Sequence, residues 1–167
     1  MPNFLSEDNI EQAMVQRLQH LYGYDVLDCY TSDAADLNDG SGRADKREVI
    51  LRDRLKAAAI RLNPEIPEIA IDDALDQVCD RRQAMAMMVA NRELDSLIRD
   101  GVRVEFKDNN GRNRKERVKL IDFEQPENNH FLAVTQLWIQ STDTGKPGDE
   151  SQWRRGVGCV EWSVSFG

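Results

Sequence analysis

Between Val118 and Gln140 the chain reads VKLIDFEQPENNHFLAVTQLWIQ, and no other stretch constrains the fold as much. Val118, Leu120 and Ile121 make one β-favouring run and Phe131 to Ile139 a longer one. Between them, Gln125-Pro126-Glu127-Asn128-Asn129 supplies turn residues and a proline that a central strand does not tolerate. Two strands joined by a polar turn are therefore predicted, as a hairpin or strand pair.

The chain before this stretch is mostly helical in pattern. Ser6 has the character of an N-cap, with Glu7 and Asp8 in the first turn, and Ile10, Ala13, Met14, Leu18 and Leu21 recur at helical spacing until Gly23. Glu11 flanks this stripe, where a solvated carboxylate is the ordinary occupant. A short strand around Val26-Leu27 leads into a loop from Thr31 to Gly42. The loop's Asp33, Asp36 and Asp39 do not form a calcium loop: counting from Asp36 puts Ser41 at the glycine position and Arg47 at that of the bidentate glutamate.

A second helix is predicted from Lys46 to Leu62, on Leu51, Leu55, Ala58 and Leu62, with Asn63-Pro64 ending it. Its polar face carries Arg47, Arg52, Arg54, Lys56 and Arg61 among Glu48 and Asp53, a mixed-sign solvated face rather than a phosphate grip. Ile71, Leu75 and Val78 define a third helix. Met85, Met88, Val89, Leu94, Leu97 and Ile98 define a fourth that Asp100-Gly101 closes, its methionines expected as core filler. Val102, Val104 and Phe106 then alternate with charged residues, Asp108-Asn109-Asn110-Gly111 is a turn, and the return strand starts within Arg112, Arg114, Lys115, Arg117 and Lys119. These five cations are the candidate nucleic-acid contact. The competing role for a charged hairpin is solubility and the blocking of edge pairing.

A length of 167 residues predicts one domain with a single core. A net charge of -8 excludes a surface that grips nucleic acid everywhere, but not a local basic face. Cys29, Cys79 and Cys159 have no paired spacing, so neither a disulfide framework nor a zinc site is expected. His20 and His130 lack the neighbours of a catalytic triad. No apolar run approaches the roughly 20 residues of a membrane span and no signal peptide pattern is present. A cytoplasmic protein with reduced thiols and no membrane partner is the expectation.

The order of Leu120-Ile121-Asp122-Phe123, Pro126-Glu127-Asn128-Asn129, Phe131 and Val134-Thr135-Gln136 resembles the N-terminal region of the restriction (R) subunit of type I restriction-modification enzymes. Arg61-Leu62-Asn63-Pro64 and Gly101-Val102 fit the same pattern, so the resemblance covers most of positions 5 to 140. It implies an α/β domain, with N-terminal helices packed on a small mixed sheet, of restriction-endonuclease type. It also implies a parent enzyme that cleaves DNA with Mg2+, translocates it with ATP, and works with methylation and specificity subunits. Glu11 would then lie near the nuclease centre as an accessory residue.

In the resembled family, the strand matching Phe131 to Ile139 is followed by Arg-Pro-Asp, Asn-Gly and Glu-x-Lys. Those residues hold the metal and orient the attacking water. Here Trp153-Arg154-Arg155 is followed by Gly156-Val157-Gly158-Cys159-Val160-Glu161-Trp162-Ser163, with no Pro-Asp and no Glu-x-Lys. A Glu-Trp-Ser codon run can be GAA-TGG-TCN, which read from its second base is AAT-GGT, Asn-Gly. The expectation is thus residues 1–155 of an R-subunit nuclease domain, truncated or frameshifted near residue 155, with an atypical tail over 156–167. Such an incomplete domain binds neither Mg2+ nor ATP, is inactive alone, and exposes a sheet edge open to self-association. No Gly-rich Walker loop is present for a motor. The alternative is a non-catalytic module that docks on DNA or on a restriction complex.

Overall fold

The computed structural model describes residues 6–80, 85–140 and 153–160. The elements are α1 (Glu7–Tyr22), β1 (Asp25–Asp28), α2 (Arg52–Leu62), α3 (Glu68–Cys79), α4 (Met87–Asp100), β2 (Val102–Lys107), β3 (Asn113–Val118), a 3-10 turn (Pro126–Asn128), β4 (Leu132–Gln140) and β5 (Trp153–Val160). Among the described residues, four helices and two small sheets, one mixed and one antiparallel, place the chain in the α/β class. They form two compact units, residues 1–51 with 130–167 and residues 52–129, where length had predicted a single core.

The first unit is built on a sheet ordered β1-β4-β5. β1 pairs parallel with β4, Asp25 opposite Leu132 and Asp28 opposite Thr135. β5 pairs antiparallel with β4, from Leu132 opposite Val160 to Gln140 opposite Trp153, so this strand runs across position 155 without a break. Cys29, Leu51, Leu132, Val134 and Leu137 form the core with Leu27 and Ile139 against it. α1 starts where Ser6 Oγ accepts from the Asn9 N–H at 3.3 Å and ends at Gly23, whose φ of 69° suits a residue without Cβ. Of the predicted stripe, only Leu18 lies on the partly covered face. Ile10, Met14 and Leu21 are at least half exposed, while Glu11, Val15 and Leu18 are the partly covered residues.

The loop from Thr31 to Leu51 is held by ionic bonds invisible to the sequence reading. Asp39 is buried and takes two cations on Oδ2, Arg43 Nη2 at 2.9 Å and Lys46 Nζ at 2.7 Å, both of them buried too. Arg43 also donates to Ser41 Oγ, to the Glu48 carbonyl and to the Trp138 carbonyl of β4. Burial by itself would raise the Asp39 carboxyl, but hydrogen bonds from Lys46, Ser41 and Arg43 outweigh it and hold the group well below the usual carboxylate range. The predicted helix from Lys46 is corrected accordingly. Residues 46–51 are not helical because Lys46 turns inward to Asp39 and its carbonyl accepts from Gln140 N, and α2 begins only at Arg52.

In the second unit, Leu55, Ala58 and Ala59 of α2 and Ala70, Ile71, Ala74, Leu75 and Val78 of α3 are buried, as are Val102, Val104, Val118 and Leu120. Two cations of α2 are spent on α3: Arg52 pairs with Asp76, and Lys56 with Glu68 at 2.9 Å and Asp72 at 2.8 Å. β2 and β3 form the predicted hairpin, Val102 opposite Val118 and Lys107 opposite Asn113. The strand pair expected over 118–140 is corrected. Val118 closes β3, Leu120 is buried beyond the strand end, and β4 belongs to the other sheet. Asn63 explains the stop. Its carboxamide donates to the carbonyls of Ala59 (2.7 Å) and Lys119 (2.8 Å) and accepts from Lys119 N (2.8 Å), taking the groups a ladder would use.

The methionine reading is also corrected. Met85, Met88 and Val89 are exposed, while Ala90, Leu94, Leu97 and Ile98 of α4 are partly covered. No helix among the described residues is long and apolar enough to cross a membrane. Gly101, between α4 and β2, has φ 75°, and a Cβ there would lie 2.9 Å from the Val118 carbonyl oxygen. Gly101→Ala is therefore expected to cost at least about 1–2 kcal/mol from backbone conformation alone, with the clash added. Chemical denaturation followed by helical circular dichroism measures it, and an unchanged midpoint contradicts it.

Candidate functional site

A cleft of about 360 Å³ opens in the first unit between α1 and the β1–β4 edge, and its polar lining includes Asp8, Glu11, Gln12, Gln16, Asp28, Thr135 and Gln136, with Val15 and Val26 as its apolar part. Three elements deliver these groups. α1 presents Glu11 from its partly covered face, β1 ends in Asp28, and β4 contributes two consecutive side chains.

Those two are adjacent because β4 is irregular between Val134 and Leu137. Gln136 has φ 56°, the only positive φ of a non-glycine residue among the described residues. A bulky side chain in that region costs on the order of 1–3 kcal/mol, and such strain gathers at functional sites. Gln136 Nε2 donates to Glu11 Oε2 at 2.6 Å. Thr135 Oγ1 lies 3.4 Å from Asp28 Oδ1, which also accepts from the Tyr30 N–H at 3.0 Å. Glu11, expected on a solvated flank from periodicity alone, is instead held in the cleft. Asp28, Thr135 and Gln136 were missed as a group, because nothing in a strand's residue pattern announces a bulge.

Magnesium takes octahedral oxygen ligands, commonly one or two carboxylates with waters. Glu11 and Asp28 already accept bonds from neutral donors, and among the described residues no three His, Cys, Asp or Glu side chains gather in a metal-binding group. These residues do not by themselves fit a magnesium site. Residues 141–152 and 161–167, on which much of the expected nuclease segment falls, lie outside the described residues. Cys29 lies within the apolar core, and burial, with a smaller contribution from Asp39, pushes its thiol up to about 11, which disfavours the thiolate a nucleophile needs.

The five cations of the hairpin lie in the second unit and are largely committed. Arg114 pairs with Glu116 at 2.8 Å, Lys115 with Glu105 at 2.6 Å and, more loosely, Lys119 with Glu124 at 3.9 Å. Arg117 donates to the carbonyls of Asp100 and Gly101, closing the end of α4 onto the hairpin. Arg112 follows the turn, its backbone exchanging two 2.9 Å hydrogen bonds with Asp108.

Comparison with known families decides the lineage. Residues 4–151 match the family described as Type I restriction enzyme R protein N terminus. The chain belongs to this family. It is 38% identical over 142 residues to the Type I restriction enzyme HindI endonuclease subunit of Haemophilus influenzae, a match covering 85% of this chain and 13% of that protein. It is also 31% identical over 137 residues to a candidate type I restriction enzyme MjaIXP endonuclease subunit of Methanocaldococcus jannaschii, over 81% of this chain and 12% of that one. The R-subunit match thus spans about an eighth of each relative's length, and no solved structure matches the chain. The resemblance read from Leu120 to Gln136 is therefore correct at the level of the family and of its N-terminal region.

Proposed function

We propose that this R-subunit N-terminal region is the incomplete nuclease portion of a DNA-cleaving type I restriction enzyme, with the Glu11 cleft lying at its nuclease centre. The observation that carries the reading is the family match over residues 4–151 with relatives named as endonuclease subunits. The cleft supports it by holding an acidic residue of the first helix against the sheet. In the parent enzyme, cleavage uses Mg2+, translocation uses ATP, and methylation and specificity subunits complete the complex.

No Pro-Asp and no Glu-x-Lys follows Arg155 in this sequence, and Glu11 with Asp28 does not replace them. The chain alone therefore does not cut DNA. Supercoiled plasmid incubated with the purified chain and magnesium is expected to stay supercoiled. Nicking that disappears in Glu11→Gln would show that the polypeptide carries its own active site and overturn this reading.

DNA contact through Arg112, Arg114, Lys115, Arg117 and Lys119 is a separate reading, and the ion pairs within the hairpin weigh against it. Changing Arg112, Arg114 and Lys115 together to alanine is expected to leave the salt dependence of DNA binding as it was. Were the three phosphate contacts, the slope of log K against log salt would flatten by about 0.9 for each one removed. Fluorescence anisotropy over a salt series distinguishes the outcomes.

A further inference from the structure

Neighbouring side chains on a regular strand point to opposite faces, yet Thr135 and Gln136 both line one cleft. The irregularity in β4 makes this possible. Leu132 and Val134 before it and Leu137 after it all lie in the same apolar core, so the alternation slips by one residue between them. The slip leaves two consecutive polar residues on the cleft side, at the cost of the positive φ of Gln136. If only a bend were needed, glycine would serve at that φ without strain. Gln136 instead extends a carboxamide to Glu11, 125 residues away in the chain and 2.6 Å away in space. Thr135 beside it faces Asp28. The bulge thus gives one donor to each of two carboxylates that arrive on different elements.

We infer that Gln136 is a positioning residue: the strained bulge of β4 aims its carboxamide at Glu11 and fixes the orientation of that carboxylate in the cleft. A glutamate on a helix has three side-chain torsions, and ordering them without a partner is unfavourable. One short hydrogen bond from a rigid strand removes that freedom, and a reacting group must be held to a fraction of an ångström to be useful. The bearing of this contact on DNA cleavage rests on the reading of the cleft proposed above; the contact itself does not.

The test uses the intact chain. Gln136→Gly removes the donor while suiting the positive φ, so the thermal midpoint is expected to stay within a few degrees of the parent or to rise. In the same variant, the side-chain order parameter of Glu11 measured by 13C relaxation is expected to fall below its value in the parent, into the flexible range under about 0.6. Glu11→Ala is the reciprocal probe. The Gln136 carboxamide protons, displaced by the hydrogen bond in the parent, are expected to move to the positions of exposed glutamines such as Gln19. Unchanged Glu11 order in Gln136→Gly, or unchanged Gln136 amide resonances in Glu11→Ala, overturns the inference. Should Gln136→Gly fail to fold, Gln136 is structural and the inference falls too. None of these readouts involves cleavage, so loss of the positioning role leaves the proposed function standing, and a cleft without a part in cleavage leaves the contact measurable.

Discussion

Asp39→Asn is expected to destabilise the first unit by about 3–5 kcal/mol, because it leaves Arg43 and Lys46 buried without a countercharge. That is a large share of the roughly 5–15 kcal/mol that holds a typical domain folded. The asparagine keeps the size of the side chain, so the loss reports charge and not a cavity. The trio carries one more positive than negative charge, so Lys46→Met, which leaves a neutral Asp39–Arg43 pair, is expected to cost much less. Tryptophan fluorescence is the natural probe: Trp138, Trp153 and Trp162 all fall in the segment assigned to the first unit, and residues 52–129 contain none. The pH dependence has a definite sign. Because the Asp39 carboxyl is held below its ordinary value, its stabilisation is fully present above the unfolded pKa of about 3.9 and is lost as pH falls through the lowered folded value. The gap between parent and Asp39→Asn therefore narrows on acidification below about pH 4. An unfolding free energy from urea titration lowered by less than about 1 kcal/mol at neutral pH would remove the ion cluster as a mainstay of this unit.

Leu75→Ala is expected to cost about 2–5 kcal/mol in the second unit, since Leu75 is fully buried in the α3 face that packs on α2 and β2. Of the four described helices, α2, α3 and α4 lie in that unit and α1 in the other, so far-ultraviolet circular dichroism follows chiefly the second unit while fluorescence follows the first. The dichroism midpoint is expected to move well ahead of the fluorescence midpoint. Equal movement of both would mean a single cooperative core and contradict the division into two.

Local patterns were legible where local chemistry decides. Ser6 and Gly23 bound α1, Asn63-Pro64 closes α2, and Asp108 to Gly111 turns the β2–β3 hairpin, each through a cap or turn whose cause lies within a few residues. What failed depends on partners far away in the chain. Leu120 and Ile121 look like strand residues, and only Asn63, 56 positions earlier, shows why the ladder stops at Val118. Lys46 looks like a helix residue until Asp39 draws it inward. Met85 and Met88 have a core composition but stay about half or more exposed. For the cleft, Glu11 was reached through family resemblance and not through periodicity, which pointed the helix the wrong way. Gln136 carries no residue-level mark of its bulge, because αL backbone at a glutamine is an outcome of tertiary structure.

The parallel pairing of β1 with β4 spans the whole of residues 52–129. Emerging from a ribosome, that middle segment has all its own partners at hand and is able to condense early, whereas β1 waits unpaired for a strand not yet made. Closing so long a loop is slow when its interior is a loose coil, and the entropy lost grows with its length. An interior that has already folded shortens the search. The connectivity thus predicts an order of assembly: the inserted unit is expected to form first, and the cleft, which needs Glu11, Asp28 and Gln136 together, to be among the last places completed.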